Sequence, residues 1–195
     1  MKDTFLFDLI LQYLIETMGR EFSSENIINY LKNENKSISN ETLYTYVDAL
    51  CRALIVERVY RYDISGKGVL KTLNKYYATD LGIAQIKNNN AEFKNYIVLE
   101  NIVYNELKIR DYDVYIGKSK KGEIDFLAKK DGKTNYIQVT YELDGNSDAM
   151  EREFGAFNYV NDDNPKYVIS MDKKDLSRDG IIHLNLIDFL LSDNL

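Results

Sequence analysis

Glu123-Ile124-Asp125-Phe126-Leu127-Ala128-Lys129-Lys130-Asp131-Gly132-Lys133-Thr134-Asn135-Tyr136-Ile137-Gln138-Val139-Thr140 reads as two strands joined by a tight turn. Asp-Gly suits the positive φ angles of a two-residue type I′ turn. With Asp131-Gly132 as the turn, Lys130 faces Lys133, and the same register carries Asp125 opposite Gln138 and Glu123 opposite Thr140. Strand periodicity then puts Glu123, Asp125 and Leu127 on one face with Tyr136, Gln138 and Thr140. Ile124, Phe126, Ala128, Ile137 and Val139 form the opposite, core face. Facing side chains are about 5 Å apart at Cβ, close enough to share one hard divalent cation.

Upstream, a helix is expected from about Ala91 to Arg110. Glu100 stands in it with Ile97, Val103, Tyr96 and Tyr104 at helical spacing, so it points inward. A buried carboxylate needs a cation, a metal or hydrogen-bond donors. An ordinary ion pair or amide cap is the competing explanation, of equal weight. Further strands are expected at Asp113–Ile116, Tyr167–Met171 (after Pro165) and Ile181–Leu184, a helix over Ala149–Val160, and an apolar terminal helix. The order α-β-β-β-α-β is an α/β layer architecture over residues 91–195, within an α+β whole.

Residues 1–86 read differently. Phe5, Leu6, Leu9, Ile10, Tyr13 and Leu14 repeat at helical spacing, with Gly19 as C-cap. Ser24 and Ser39 serve as N-caps of two further helices; the third carries Leu43, Tyr46, Val47, Leu50 and Leu54 on its apolar face. Strands at Ile55–Tyr62 and Thr72–Ala78 flank the turn Gly66-Lys67-Gly68. Three helices and a basic hairpin are the order of a winged helix-turn-helix. The polar run Lys87-Asn88-Asn89-Asn90 is the expected boundary.

The net charge is −6, which argues against strong non-specific DNA affinity of the chain as a whole. The hairpin is the local exception: Arg58, Arg61, Lys67, Lys71 and Lys75 outweigh Glu57 and Asp63, and with Tyr60, Tyr62, Tyr76 and Tyr77 they make a candidate nucleic-acid surface. The third helix offers only Arg52 against Glu41 and Asp48, poor equipment for reading bases. Cys51 has no intrachain partner, no apolar run is long enough to span a membrane, and the N-terminus lacks a secretory pattern, so a cytoplasmic protein without a membrane partner is expected. His183, between Ile182 and Leu184, is expected to be structural.

Glu100, Glu123-Ile124-Asp125 and Gln138-Val139-Thr140 on an α-β-β-β core resemble the restriction-endonuclease-like, PD-(D/E)XK phosphodiesterase superfamily. The resemblance implies Glu100, Asp125 and Gln138 as ligands of Mg²⁺ or Mn²⁺, with Glu123, Thr140 and Lys121 beside them. The superfamily's lysine position falls on Thr140, which supplies no cation; Lys118, Lys120 or Lys121 would have to substitute. Together with Tyr76-Tyr77-Ala78-Thr79-Asp80-Leu81-Gly82, Glu100–Leu107, Tyr136–Tyr141, Glu151-Arg152-Glu153-Phe154 and Pro165–Met171, these motifs are similar to the uncharacterised region that follows an AAA+ ATPase domain in many bacterial and archaeal proteins. That similarity implies an ATPase domain as partner, in a longer protein from which this chain is a fragment or a stand-alone remnant. The chain itself has no G-x-x-x-x-G-K-[ST] loop, so ATP binding by it is not expected. Three functions follow: an accessory module holding DNA or a partner for an ATPase, a Mg²⁺- or Mn²⁺-dependent nuclease, and a purely protein-binding module.

Overall fold

The turn at Asp131-Gly132 has φ of 52° and 76°, the left-handed pair a type I′ turn requires. The computed structural model describes residues 3–88 and 92–192. Its elements are α1 (Thr4–Glu16), α2 (Ser24–Asn33), α3 (Asn40–Arg52), β1 (Val56–Asp63), β2 (Gly68–Ala78), α4 (Leu81–Lys87), α5 (Asn95–Ile109), β3 (Asp113–Lys118), β4 (Glu123–Lys130), β5 (Lys133–Val139), α6 (Ser147–Gly155), a 3₁₀ turn (Ala156–Tyr159), β6 (Lys166–Ser170), β7 (Ile182–Asn185) and α7 (Leu186–Leu191). The fold is mixed α/β, with a seven-stranded sheet in the order β2-β1-β3-β4-β5-β6-β7.

The chain forms two units, Met1–Val59 with Leu73–Phe93, and Tyr60–Thr72 with Lys94–Leu195. The base of the β1–β2 hairpin therefore belongs to the first unit and its tip to the second. Of the expected boundary run, Asn89 and Asn90 lie outside the described residues, as does Ala91 at the expected start of α5.

In the first unit, α1 packs on α2, α3 and α4. Ile10, Leu14, Ile27, Leu31, Leu43, Val47 and Leu50 are buried together with Met18 and Tyr77. Side-chain caps start the helices: Asp3 accepts from the Leu6 amide, Ser39 from the Thr42 amide and Asp80 from the Ile83 amide. The cap of α2 is Ser23, one residue before the expected Ser24. α1 is capped at its C-terminus by Thr17, and Gly19, expected as its cap, lies two residues on at φ 74°, donating its amide to the Tyr76 carbonyl. Leu54 leaves the expected apolar face of α3: it follows the C-cap at φ 53° and is exposed. α4 is a short helix that Gly82, weak in helix propensity, concealed.

In the second unit the β4–β5 register follows the turn: Lys130 faces Lys133, Ala128 faces Asn135 and Phe126 faces Ile137. β3 and β4 are antiparallel, whereas β5–β6 and β6–β7 are parallel, and the hairpin tip runs parallel to β3 through Arg61, Tyr62 and Asp63. Both sheet faces are covered. Phe126, Ala128 and Ile137 are fully buried, yet so are Leu127 and Tyr136, which alternate with them. Ile124, expected on the Phe126 face, clusters instead with Leu127 and Tyr136, because the β3–β4 register shifts between Tyr115 and Gly117. α5 packs against β3, β4 and β5, bringing the Tyr104 ring to 6.0 Å from that of Phe126. Leu143, Ala149, Phe154 and Phe157 close over Leu127 and Tyr136. The expected helix over Ala149–Val160 divides at Gly155 into α6 and the 3₁₀ turn.

His183 is structural. Its Nδ1 accepts from the Leu176 amide at 3.3 Å, which places the ring proton on Nε2, 2.8 Å from Ser170 Oγ. The Ser170 hydroxyl donates in turn to Asp172 Oδ2, whose carboxylate also accepts the amides of Leu143 and Asp144. Burial holds the imidazole pKa below its ordinary value of 6.5, against the opposing pull of Asp172 and Asp175. Because the folded pKa is depressed, this ring favours the fold fully above pH 6.5, and the advantage disappears as pH falls toward the folded value. Protonating Nδ1 would also set two donors against each other at Leu176. The melting temperature of the chain is expected to drop between pH 7.5 and 5, and the drop to be smaller in His183→Gln; equal drops in both proteins would refute this assignment.

Candidate functional site

Where the β4–β5 ladder ends, at Phe126 and Ile137, side chains take over from backbone. Gln138 Oε1 accepts the Asp125 amide at 2.7 Å, and Asp125 Oδ2 accepts the Val139 amide at 2.8 Å. Asp125 and Gln138 are therefore neighbours, as the register demands, but their polar atoms pin the two strands to each other. The other end of the Gln138 amide donates to Glu153 Oε2 on α6 at 2.9 Å. Glu153 Oε1 is held by Arg152 Nε and Nη2, at 3.0 and 2.8 Å. Thr140, just past β5, is buried and donates its amide to Ile169 in continuation of the β5–β6 pairing.

Glu100 is 8% exposed on α5, flanked by buried Ile97, Val103 and Tyr104 as its spacing implied, whereas Tyr96 is exposed. Glu100, Glu123, Asp125, Gln138, Thr140 and Lys121 all line one open cleft of about 850 Å³. Glu123 pairs across β3 with Lys118, and Lys121 sits over the Tyr159 ring at 5.2 Å. Lys118 and Lys120 are not part of the lining. The sequence reading thus gathered six residues that the fold does bring together.

It missed Glu153, the most buried carboxylate of the cleft, at 5% exposure. Glu153 was open to the same test that singled out Glu100, because Ala149, Met150, Ala156 and Phe157 stand at i±3 and i±4 around it. The lining carries five carboxylates (Glu100, Glu123, Asp125, Glu142 and Glu153) against Lys121 and Arg152, so its potential repels phosphate. The expected ligand set does not fit a bound divalent ion well. Gln138 is engaged at both ends and one Asp125 oxygen is engaged by a backbone amide. Among the described residues, no three of His, Cys, Asp and Glu are grouped to hold a metal.

The hairpin cations divide. Arg58 is ion-paired to Asp48 at 2.6 Å and donates to the Tyr76 hydroxyl at 2.9 Å; Arg61 and Lys75 are buried. Tyr76 and Tyr77 are buried too, and burial raises the Tyr76 hydroxyl pKa to about 12. Of the five expected contacts, only Lys67 and Lys71 are exposed to solvent. The hairpin base is therefore sheet packing, and what remains for a ligand is its tip.

Cys51 is a free, partly buried thiol. Among the described residues no helix is long and apolar enough to cross a membrane.

Residues 1–93 match the family model described as a domain of unknown function (DUF8612). An uncharacterized protein of Haemophilus influenzae is 34% identical over 194 residues, covering 98% of this chain and 47% of its own length. An uncharacterized protein of Methanocaldococcus jannaschii is 32% identical over 148 residues, covering 74% of this chain and 32% of its own. No solved structure gives a significant match. The chain is thus similar to uncharacterized bacterial and archaeal proteins, spanning about half of one and a third of the other.

Proposed function

We propose that this chain is a non-cutting accessory module of a prokaryotic AAA+ ATPase: a winged helix-turn-helix followed by a restriction-endonuclease-like domain whose site has lost its chemistry. One observation carries the second half of that reading. Gln138, the residue meant to offer its oxygen to a metal, spends it on the Asp125 amide and gives its nitrogen to Glu153. Thr140, where a phosphodiesterase of this kind needs a lysine, brings no positive charge to the attacking water. The order α5-β3-β4-β5-α6-β6 supports the nuclease-like ancestry, and α1-α2-α3 with the β1–β2 hairpin supports the winged helix. The length of the relatives supports an attached domain, because the unmatched half of the Haemophilus influenzae protein is as long again as this chain. The module works in the cytoplasm, holding nucleic acid or a protein for the ATPase.

A second reading, a Mg²⁺- or Mn²⁺-dependent nuclease, draws on the convergence of Glu100, Asp125 and Gln138 on one cleft. Titrating Mn²⁺ while following thermal unfolding separates the two. A cation bound only by the fold at a hundred times its Kd stabilises by about 2.7 kcal/mol, a shift of several degrees. The expected result is a melting temperature within about 1 °C of that in chelator at millimolar Mn²⁺, and intact plasmid after incubation with either metal. A several-degree rise together with cleavage would establish the nuclease.

A further inference from the structure

A second recess, about 530 Å³ in volume, lies on the β4–β5 face in the same unit. Its floor is two cross-strand pairs, Leu127 with Tyr136 and Lys129 with Thr134. One wall is the hairpin tip, with Tyr62 and Lys67; the other is the loop after the 3₁₀ turn, with Asn161, Asp162 and Asn164; Tyr159 is also part of the lining.

The acids around this recess already have donors. Asp162 takes the Tyr136 hydroxyl at 2.7 Å and the Asn164 amide at 3.0 Å. Burial, followed by the contact with Asp162, raises the Tyr136 pKa, so its hydroxyl stays a donor. Asp63 folds back onto the amides of Ser65 and Gly66, both at 3.0 Å, to shape the tip. The cations have no such partners. Lys129 Nζ sits 3.7 Å from the Tyr62 ring centroid and 5.9 Å from that of Tyr115, stacked on aromatic faces. Neither Lys129 nor Lys67 makes an ion pair among the described residues. In a chain of net charge −6, two unneutralised lysines lining one aromatic recess are a local inversion of sign.

We infer that this recess binds a nucleotide unit, its phosphate on Lys129 and Lys67, its base against Tyr159, the exposed ring of the lining, and its polar edge on the side-chain amides of Asn161 and Asn164. Cations beside exposed aromatic rings are how proteins hold single-stranded nucleic acid, since every base has a face to stack and every phosphate a charge to neutralise. The acidic cleft at Gln138 lacks this complement. The inference does not rest on the state of that cleft.

The test uses residues 1–195 with a short fluorescein-labelled oligothymidylate and, separately, thymidine monophosphate. Oligonucleotide binding is expected to weaken with salt, with a slope of about 0.7 per neutralised phosphate, and to fall roughly 5- to 20-fold in Lys129→Gln. Lys67→Ala, at an exposed tip where folding is not at stake, is expected to cost roughly 3- to 10-fold. Lys133→Ala, a control at the β4–β5 turn, is expected to cost less than about twofold. If the mononucleotide binds as tightly as the strand, the occupant is a free nucleotide; if only the strand binds, it is a single-stranded nucleic acid. No binding of either probe at low salt, an equal loss in Lys133→Ala, or displacement by an equal concentration of polyglutamate would overturn the inference. Metal-dependent cleavage would refute the non-cutting module without touching these results.

Discussion

Phe126→Ala is expected to cost about 3–5 kcal/mol, the largest loss from any single substitution considered for this chain. Phe126 is fully buried on β4, between the sheet and α5, with the Tyr104 ring 6.0 Å away. Removing the ring takes away its transfer free energy and leaves a cavity that a β-sheet, braced on both sides by β3 and β5, cannot collapse to fill. For a protein of this size that corresponds to a fall of roughly 10–15 °C in melting temperature. The consequence reaches the cleft, because Glu100 is one helical turn before Tyr104 on α5. Phe126→Leu, which keeps most of the volume, is expected to lose less than half as much. If Phe126→Ala melted within about 2 °C of the parent protein, the packing of α5 onto β4 described above would be wrong.

What the sequence disclosed, and what it concealed, divides along the range of the interactions concerned. The β4–β5 register was legible because the Asp131-Gly132 turn is local chemistry, and a two-residue turn sets the pairs from Lys130–Lys133 back to Phe126–Ile137, where the ladder ends. The inward direction of Glu100 was legible because helical spacing is local too. The roles of the hairpin cations were not legible. Arg58 is spent on Asp48, a residue of the preceding helix, and Lys75 is buried in the unbroken run Asn74–Ala78, although it is a lysine following an asparagine. Lys129 escaped notice for the same reason: nothing near it in sequence announces that Tyr62 and Tyr115 lie beneath its ammonium group. The most consequential omission was Glu153. The register placed Gln138 beside Asp125 and so suggested a ligand pair, but only the position of α6 shows that the Gln138 amide has a carboxylate to satisfy.

That amide makes Gln138→Glu the most informative change in the cleft, with an expected loss of about 2–4 kcal/mol at neutral pH. Gln138 donates to Glu153 Oε2 at 2.9 Å, so the substitution replaces a donor by a second carboxylate in a buried position while keeping size and shape. Arg152 is mostly exposed and already bidentate on the other Glu153 oxygen, so its guanidinium is a weak remedy for the repulsion. Two facing carboxylates cannot both ionise cheaply, and one of them takes a folded pKa above its unfolded value of about 4.3. The protonated pair can re-form the lost hydrogen bond. The variant's stability relative to the parent is therefore best below about pH 4.3 and worsens as pH rises through the raised folded pKa. The melting-temperature deficit, roughly 5–15 °C near pH 7.5, is expected to shrink by more than half near pH 5. Millimolar Mn²⁺ is expected to recover part of it in the variant and none in the parent, since a divalent ion can do for two carboxylates what the amide hydrogen did for one. A deficit that does not change with pH would mean that Gln138 and Glu153 are not in contact, and the account of Gln138 as a strand lock would fall with it.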